Sequence, residues 1–513
     1  MGIAPGDMNE DGLMDVLVIY AGRAPLLFLR REGSARLSND SYAVREVCPR
    51  NEVWNSSSVT LADLDGDGHL DIIVGNYFQD GAAVLDVTDQ GAQEMQASFS
   101  RAFNGGRNRV LRWESAKTGE NPSVNFREIE GVFDEEVARG WTLAIGAADL
   151  DGDLLPEIYF ANDFGPDRLL HNRSTPGEMR FARLEGRKSL TTPSSKALGR
   201  DSFKGMGVDF ADLNDDGFLD IYVSNIADEY ALQESHFVFI STGEIELMKI
   251  GIAPYVDRSE EMGLSRSGWG WDCRFGDFDN DSVMEAIQAT GFVKGETSRW
   301  PEFHELAMAN DDLIHDPRLW PRFQPGDDLS GHGHSPFFAR ASDGRYYDIA
   351  EDTGLGDAQL ARGIATADVD GDGLLDLAVA NQWGPSRFYR NQSQSEGRFL
   401  ELNLLLPVSD DESATTKVFD QSDSGSLRGR PAIGARATVH LPDGRRLTAQ
   451  VDGGSGHSGK RSPRLHFGLG KIPAETVLTV ELSWRDSRGQ IREKTIETRP
   501  GLRAVLLGSG VAR

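Results

Sequence analysis

The chain has 513 residues, 39% of them hydrophobic, with 57 glycines and a formal net charge of −28. That length calls for two or more domains or a closed repeat architecture, and an acidic balance with no basic stripe argues against nucleic acid as a partner. No apolar run reaches the roughly 18 residues of a transmembrane helix, and Cys48 and Cys273 form neither a disulfide framework nor a CxxC metal pair, leaving a single disulfide between them open.

The N-terminal stretch "MGIAPGDMNEDG" lacks the charged start and apolar centre of a signal peptide. It enters an acidic loop almost at once, as though the chain started inside a longer protein. That loop, "DMNEDGLMD" (7–15), recurs as "DLDGDGHLD" (63–71), "DLDGDLLPE" (149–157), "DLNDDGFLD" (212–220), "DFDNDSVME" (277–285) and "DVDGDGLLD" (368–376). Six copies of Asp-x-Asp/Asn-x-Asp-Gly-x-x-Asp/Glu define a repeat, the first feature to seek in a long chain.

The first half of each copy looks like an EF-hand loop, which needs a bidentate Glu at position twelve and flanking helices. Position twelve is instead Val18, Val74, Phe160, Val223, Gln288 and Val379. The flanks, such as "SVTLA" before and "DIIVGN" after, are β-branched or aromatic runs, so each unit reads as strand, acidic loop, strand. Side chains at loop positions 1, 3, 5 and 9 and the carbonyl at 7 can converge on one hard cation, with water completing a shell that suits Ca²⁺ better than Mg²⁺.

The metal ligands expected on this reading are Asp7, Asn9, Asp11 and Asp15; Asp63, Asp65, Asp67 and Asp71; Asp149, Asp151, Asp153 and Glu157; Asp212, Asn214, Asp216 and Asp220; Asp277, Asp279, Asp281 and Glu285; and Asp368, Asp370, Asp372 and Asp376. Up to six Ca²⁺ ions would bind. The plain alternative is a set of solvated turns that tolerate Asp and Gly. It weighs most at 149 and 277, where Leu154 and Ser282 replace the turn glycine and the loops close on Glu157 and Glu285, a longer side chain that would suit a wider turn.

The motifs start 56, 86, 63, 65 and 91 residues apart, room for a four-stranded sheet plus loops, the blade of a β-propeller. A second phrase recurs after the motif strand as "NDFGPDRLLHN" (162–172) and "NQWGPSRFYRN" (381–391). With these residues the chain resembles FG-GAP/VCBS repeat proteins, whose propellers include the integrin α-subunit head, and more closely the cartilage-acidic-protein-like family. The resemblance implies calcium in the acidic loops and usually seven blades, with six to eight open here because only six motifs are present. It covers residues 1–398, taken as the propeller, with two explanations open for the missing motif: a blade without a loop, or a truncated N-terminus.

Residues 399–513 read as a small all-β domain with a Pro-Asp-Gly turn at 442–444. In "AIGAR", "GGSG" and "LHFGLG" this part resembles the ASPIC/UnbV domain. The polar stretch 407–429 reads as a mobile loop, and the "GGSGHSGKRS" stretch (453–462) as a tight turn.

Four histidines fall in one stretch, 300–338, which also carries Trp300 and Trp320. His332 and His334 could share a strand face and bind a transition metal with His304 or His315; the plainer reading is a structured loop whose histidines bond backbone. No GxSxG, HExxH, P-loop or GxGxxG after a strand is present. The leading expectation is therefore a non-enzymatic, calcium-stabilised propeller that binds protein or glycan. It would be secreted, periplasmic or on the cell surface, where it could serve adhesion and where calcium is plentiful enough to fill weak sites. The alternative is an enzyme or accessory protein of enediyne-type secondary metabolism, with a pocket at the propeller channel or under the 300–338 stretch.

Overall fold

The computed structural model describes all residues except 1, 34–36, 49–51, 87–92, 203, 232–233, 309–313, 315, 409–414, 421–426 and 509–513. His315 and parts of the 407–429 stretch lie outside the described residues.

Alternating apolar runs split by acidic or Gly-Pro turns produce short antiparallel strands, grouped in chain order into six sheets. The first is Gly2–Gly6, Asp15–Ile19, Leu26–Arg30 and Tyr42–Glu46; the second is Asn55–Ala62, Asp71–Phe78, Arg109–Lys117 and Ser123–Glu128. The third holds Thr142–Ala148, Glu157–Asn162, Arg168–Asn172 and Phe181–Gly186, and the fourth Gly207–Ala211, Asp220–Ser224, Phe237–Ser241 and Tyr255–Asp257. The fifth holds Gly268–Gly276, Glu285–Thr290, Phe337–Arg340 and Tyr346–Asp348, and the sixth has three strands, Ala361–Ala367, Asp376–Asn381 and Arg387–Tyr389.

No sheet could bury both faces alone. Each packs on the next through its own apolar layer: Leu17 and Leu27 meet Leu61 and Ile72, Ile73 meets Ile158 and Phe160, Tyr159 meets Ile221 and Phe237, and Tyr222 meets Phe275. The first strand of each sheet lies against the first strand of the next. This radial stacking is the propeller expected from the repeat. The described residues form six such sheets, each built around one acidic loop.

From Arg398 onward the chain builds two sheets. One holds Arg398–Leu406, Gly501–Leu506, Leu465–Gly470, Arg430–Pro431 and Lys417–Asp420; the other holds Arg436–His440, Arg446–Gln450, Leu478–Arg485 and Ile491–Thr498. They share a core of Leu400, Leu402, Val439, Val480 and Trp484. The Pro-Asp-Gly turn joins two strands as expected, with Gly444 at φ 93°. Within the 407–429 stretch, Lys417–Asp420 pairs antiparallel with Gly501–Leu506. Cys48 and Cys273 are free thiols, so the disulfide left open above is not made.

Candidate metal centres

Each acidic loop joins the first strand of a blade to its second. The residue before the loop pairs with position 9: Gly6 with Asp15, Ala62 with Asp71, Ala148 with Glu157, Ala211 with Asp220, Gly276 with Glu285 and Ala367 with Asp376.

Within the loop one hydrogen-bond frame repeats six times. The position 1 carboxylate accepts from the position 6 amide at 2.7–3.1 Å, from Gly12, Gly68, Leu154, Gly217, Ser282 and Gly373 in turn. The position 9 carboxylate accepts from the position 2 amide at 2.8–3.1 Å. In five loops its other oxygen accepts from a third-strand amide or, for Asp376, from the Asn391 amide two residues beyond that strand. Glu157 and Glu285 reach the same position 2 donor as the aspartates, at 2.8 Å each. The longer side chain therefore keeps the frame.

Position 6 is left-handed in all six loops, at φ 79° and 94° for Gly12 and Gly68, 61° for Leu154, 89° for Gly217, 70° for Ser282 and 86° for Gly373. Leu154 and Ser282 thus hold the glycine conformation at about 1–2 kcal/mol each, and the turn at these two loops is no wider. Position 4 is left-handed as well, at Glu10, Gly66, Gly152, Asp215, Asn280 and Gly371, a regularity the sequence reading missed. Its only signal was the enrichment of Gly, Asn and Asp there.

Five groups of three ligand atoms lie within 4.8 Å of one another: Asp63, Asp65 and Asp71; Asp149, Asp151 and Asp153; Asp151, Glu157 and His171; Asp277, Asp279 and Glu285; and Asp368, Asp370 and Asp376. The loops at 7 and 212 carry Asn at position 3, and in both its amide donates to the position 5 aspartate at 3.0 Å. The freed Oδ1 of Asn9 is buried with no partner among the described residues, an acceptor that a cation would satisfy. Burial pushes Asp7, Asp63 and Asp277 up to about 7, Asp149 to about 6 and Glu285 to about 9, the cost of gathering hard oxygens with no cation. The donor set fits a hard divalent cation. In two blades a side chain of the third-strand phrase leans on position 3: His171 on Asp151 at 3.1 Å and Arg390 on Asp370 at 2.5 Å.

The C-terminal domain caps this loop face. Arg485 donates to the Leu154 carbonyl at 2.8 Å, Arg430 to that of Gly68 at 2.9 Å, and Arg436 to that of Gly217. Arg445 donates to the Ser282 hydroxyl at 2.8 Å. Four loops thus meet an arginine at position 6.

The glycine-rich stretch is not a simple turn: it enters the central channel. Gly456 donates to Ile145 and accepts from Ser58, His457 bonds the Leu143 carbonyl at 2.9 Å, and Ser462 donates to Thr366. Arg274, fully buried, donates to the carbonyls of Ser455 and Gly459 at 2.7 and 2.6 Å and lies 3.6 and 3.5 Å from Asp209 and Asp272. Arg461 also pairs with Asp209. The stretch occupies the channel, and a cavity of about 90 Å³ remains beside it, lined by Asp209, Phe275, Thr366, Asp452 and Arg461 among others.

The three described histidines of the 300–338 stretch, His304, His332 and His334, do not converge. His304 bonds the Tyr230 carbonyl, His332 the Gly295 carbonyl at 2.8 Å, and His334 the Asp348 carboxylate at 2.7 Å. No group of metal-ligating side chains among the described residues includes them, and His315 lies outside those residues. Each is held by a different nearby acceptor.

Comparison with known families places these features. Residues 7–74 and 149–223 match the FG-GAP-like repeat, residues 361–398 the FG-GAP repeat, and residues 425–507 the ASPIC and UnbV family. The loop at 277 lies outside the matched spans. The chain is 22% identical over 515 residues to human cartilage acidic protein 1, covering 95% of this chain and 69% of that protein. For the Xenopus tropicalis protein of the same name the identity is 22% over 532 residues, covering 95% and 70%. The V. cholerae biofilm matrix protein Bap1 aligns with 88% of this chain and 68% of its own at 12% identity and a TM-score of 0.29, too loose a superposition to bear on the fold.

Proposed function

We propose that this chain, which joins FG-GAP repeats to a C-terminal ASPIC and UnbV domain, is a calcium-stabilised scaffold that binds protein or glycan outside the cytoplasm. Residues 1–398 would form the propeller and 399–513 its cap. The observation that carries the reading is the sixfold recurrence of one acidic hydrogen-bond frame, with the buried unpartnered acceptor of Asn9 in the first loop. The ligands would be the side chains at positions 1, 3, 5 and 9 of each loop, one Ca²⁺ per loop and up to six in all.

In this reading the ions are staples. They lie where inner and second strands turn, and arginines of the second domain cover four of the six loops, so a ligand would be met by other surfaces. Bound calcium would neutralise carboxylates that otherwise repel one another, and would supply no reaction.

Metal analysis of the purified chain, with thermal melts in calcium and in chelator, tests the proposal. Several equivalents of tightly held calcium and a higher melting temperature with the ion are expected. An unchanged melt with no bound calcium overturns it.

A further inference from the structure

At the blade ends remote from the acidic loops, a cavity of about 320 Å³ opens between the second to fifth blades and the 300–338 stretch. Its volume is that of a small-molecule site. Four of the chain's nine tryptophans line it: Trp269, Trp271, Trp300 and Trp320. On one wall Trp269 stacks on Phe292 at 4.6 Å with Trp300 at 5.9 Å; on the other Trp320 lies 5.9 Å from both Phe99 and Phe164.

The polar groups are few and unevenly satisfied. Asp163, 7% exposed, accepts from the Tyr77 hydroxyl at 2.6 Å through Oδ2, while its Oδ1 has no partner among the described residues. Gln96, 2% exposed, donates to the same hydroxyl at 3.1 Å and leaves its own Oε1 unpartnered. Two buried acceptors thus sit on one tyrosine hub without a donor, a state native proteins rarely leave uncompensated. Lys204 does not supply one, being paired with Glu234 at 3.0 Å. The charged lining groups are Asp163, Glu234 and Lys204, one negative charge in excess. A buried donor with no partner among the described residues, the indole N–H of Trp269, would suit an acceptor atom on a ligand's body.

We propose that this cavity binds a small organic cation, its apolar body against Trp269 and Trp300 and its positive head toward Asp163. Ring faces carry negative charge and attract a desolvated cation. Burial pushes the Asp163 carboxyl up to about 6, which leaves it ionised at neutral pH. An anion would face that excess negative charge, and a neutral hydrocarbon would leave both acceptors as they are. The site is independent of the calcium reading.

Phenyltrimethylammonium and its neutral isostere tert-butylbenzene, titrated against the tryptophan fluorescence of the calcium-supplied full chain, test this. The cation should bind saturably and at least tenfold more tightly than the isostere. Asp163→Asn should weaken the cation about tenfold and leave the isostere unchanged. Trp300→Leu, on the partly exposed Trp300–Ala307 helix, should weaken the cation at least fivefold and decides the matter if the first variant does not fold. Equal affinity for the two probes, no saturable signal from the cation, or cation binding untouched by the variants overturns the proposal.

Discussion

The guanidinium of Arg485 donates from Nε to the carbonyl oxygen of Leu154 at 2.8 Å and from Nη2 to that of Asp153 at 3.1 Å. One residue of the second domain thereby holds the backbone of a propeller loop at its left-handed turn. Arg430 and Arg436 make the corresponding backbone contact in two other loops, and Arg445 donates to the Ser282 hydroxyl in a third. The acidic loops are therefore both the joints within blades and the seat on which the second domain rests.

Replacing Arg485 with Ala should cost about 1.5–3 kcal/mol, the range for hydrogen bonds to a charged group. In the Arg436→Ala/Arg485→Ala double variant the two domains should separate in thermal melts, because two of the four capped loops lose their tie. A single unshifted transition in the double variant would show that the channel-entering stretch alone holds the domains together.

The left-handed turn itself can be probed with one added methyl group. At Gly217, φ 89°, a Cβ meets nothing closer than 3.8 Å, so Gly217→Ala should cost only the backbone penalty of about 1–2 kcal/mol. At Gly68, φ 94°, the Cβ would lie 2.5 Å from the Asp486 carbonyl oxygen across the domain boundary. Gly68→Ala should therefore cost at least twice as much in urea unfolding. Equal costs would mean that the 486–489 turn yields freely.

Much of this could be read from the amino acids, for a physical reason. The acidic loops repeat a fixed spacing of charged side chains between β-branched runs, so strand, loop and strand were each marked locally. Leu154 and Ser282 looked like departures and are not, because a left-handed backbone is disfavoured, though not forbidden, to an L-residue. The entry of a stretch into the channel was illegible: "GGSGHSGKRS" has no apolar period, and its partners Ser58, Ile145, Arg274 and Thr366 lie in four different blades. The cavity was only half visible, since Trp300 and Trp320 were noted while Tyr77, Asp163 and Trp269 come from distant blades.

Calcium and protons should compete in the loops, with a definite sign. Burial raises Asp7, Asp15, Asp63, Asp220 and Asp277 to about 7 in the metal-free protein, above their ordinary 3.8. A raised folded value contributes stability below the unfolded pKa and loses it as pH rises through the folded one. The chelator-treated protein should thus lose melting temperature between about pH 4 and pH 7 from this source. Calcium should cancel that loss, release protons on binding at pH 6 and bind more tightly at pH 8. Buried histidines act in the opposite direction: His236 is lowered by burial to about 3, and His457 and His466 to about 4. Their contribution is lost as pH falls from 6.5 toward 4, so the calcium-loaded protein should be most stable above pH 6.5. A calcium affinity independent of pH would rule out these carboxylates as the ligands.

The channel supplies the sharpest stability test. Arg274 is fully buried between Asp209 and Asp272, and it donates to the carbonyls of Ser455 and Gly459 of the entering stretch. Three carboxylates, Asp209, Asp272 and Asp452, are balanced there by Arg274, Lys460 and Arg461. Arg274→Met keeps most of the side chain's volume and removes the charge and its hydrogen bonds. Breaking a buried pair from one side costs about 3–5 kcal/mol, because the partner charge stays behind without compensation. The variant should therefore fall well below wild type in urea unfolding. Adding Asp272→Asn should recover part of the loss, since it removes one stranded charge while retaining an acceptor for the Gly459 amide, which donates to Asp272 at 2.9 Å. A double variant no more stable than the single one would show that the hydrogen bonds of Arg274 to the entering stretch, and not the charge balance, hold that stretch in the channel.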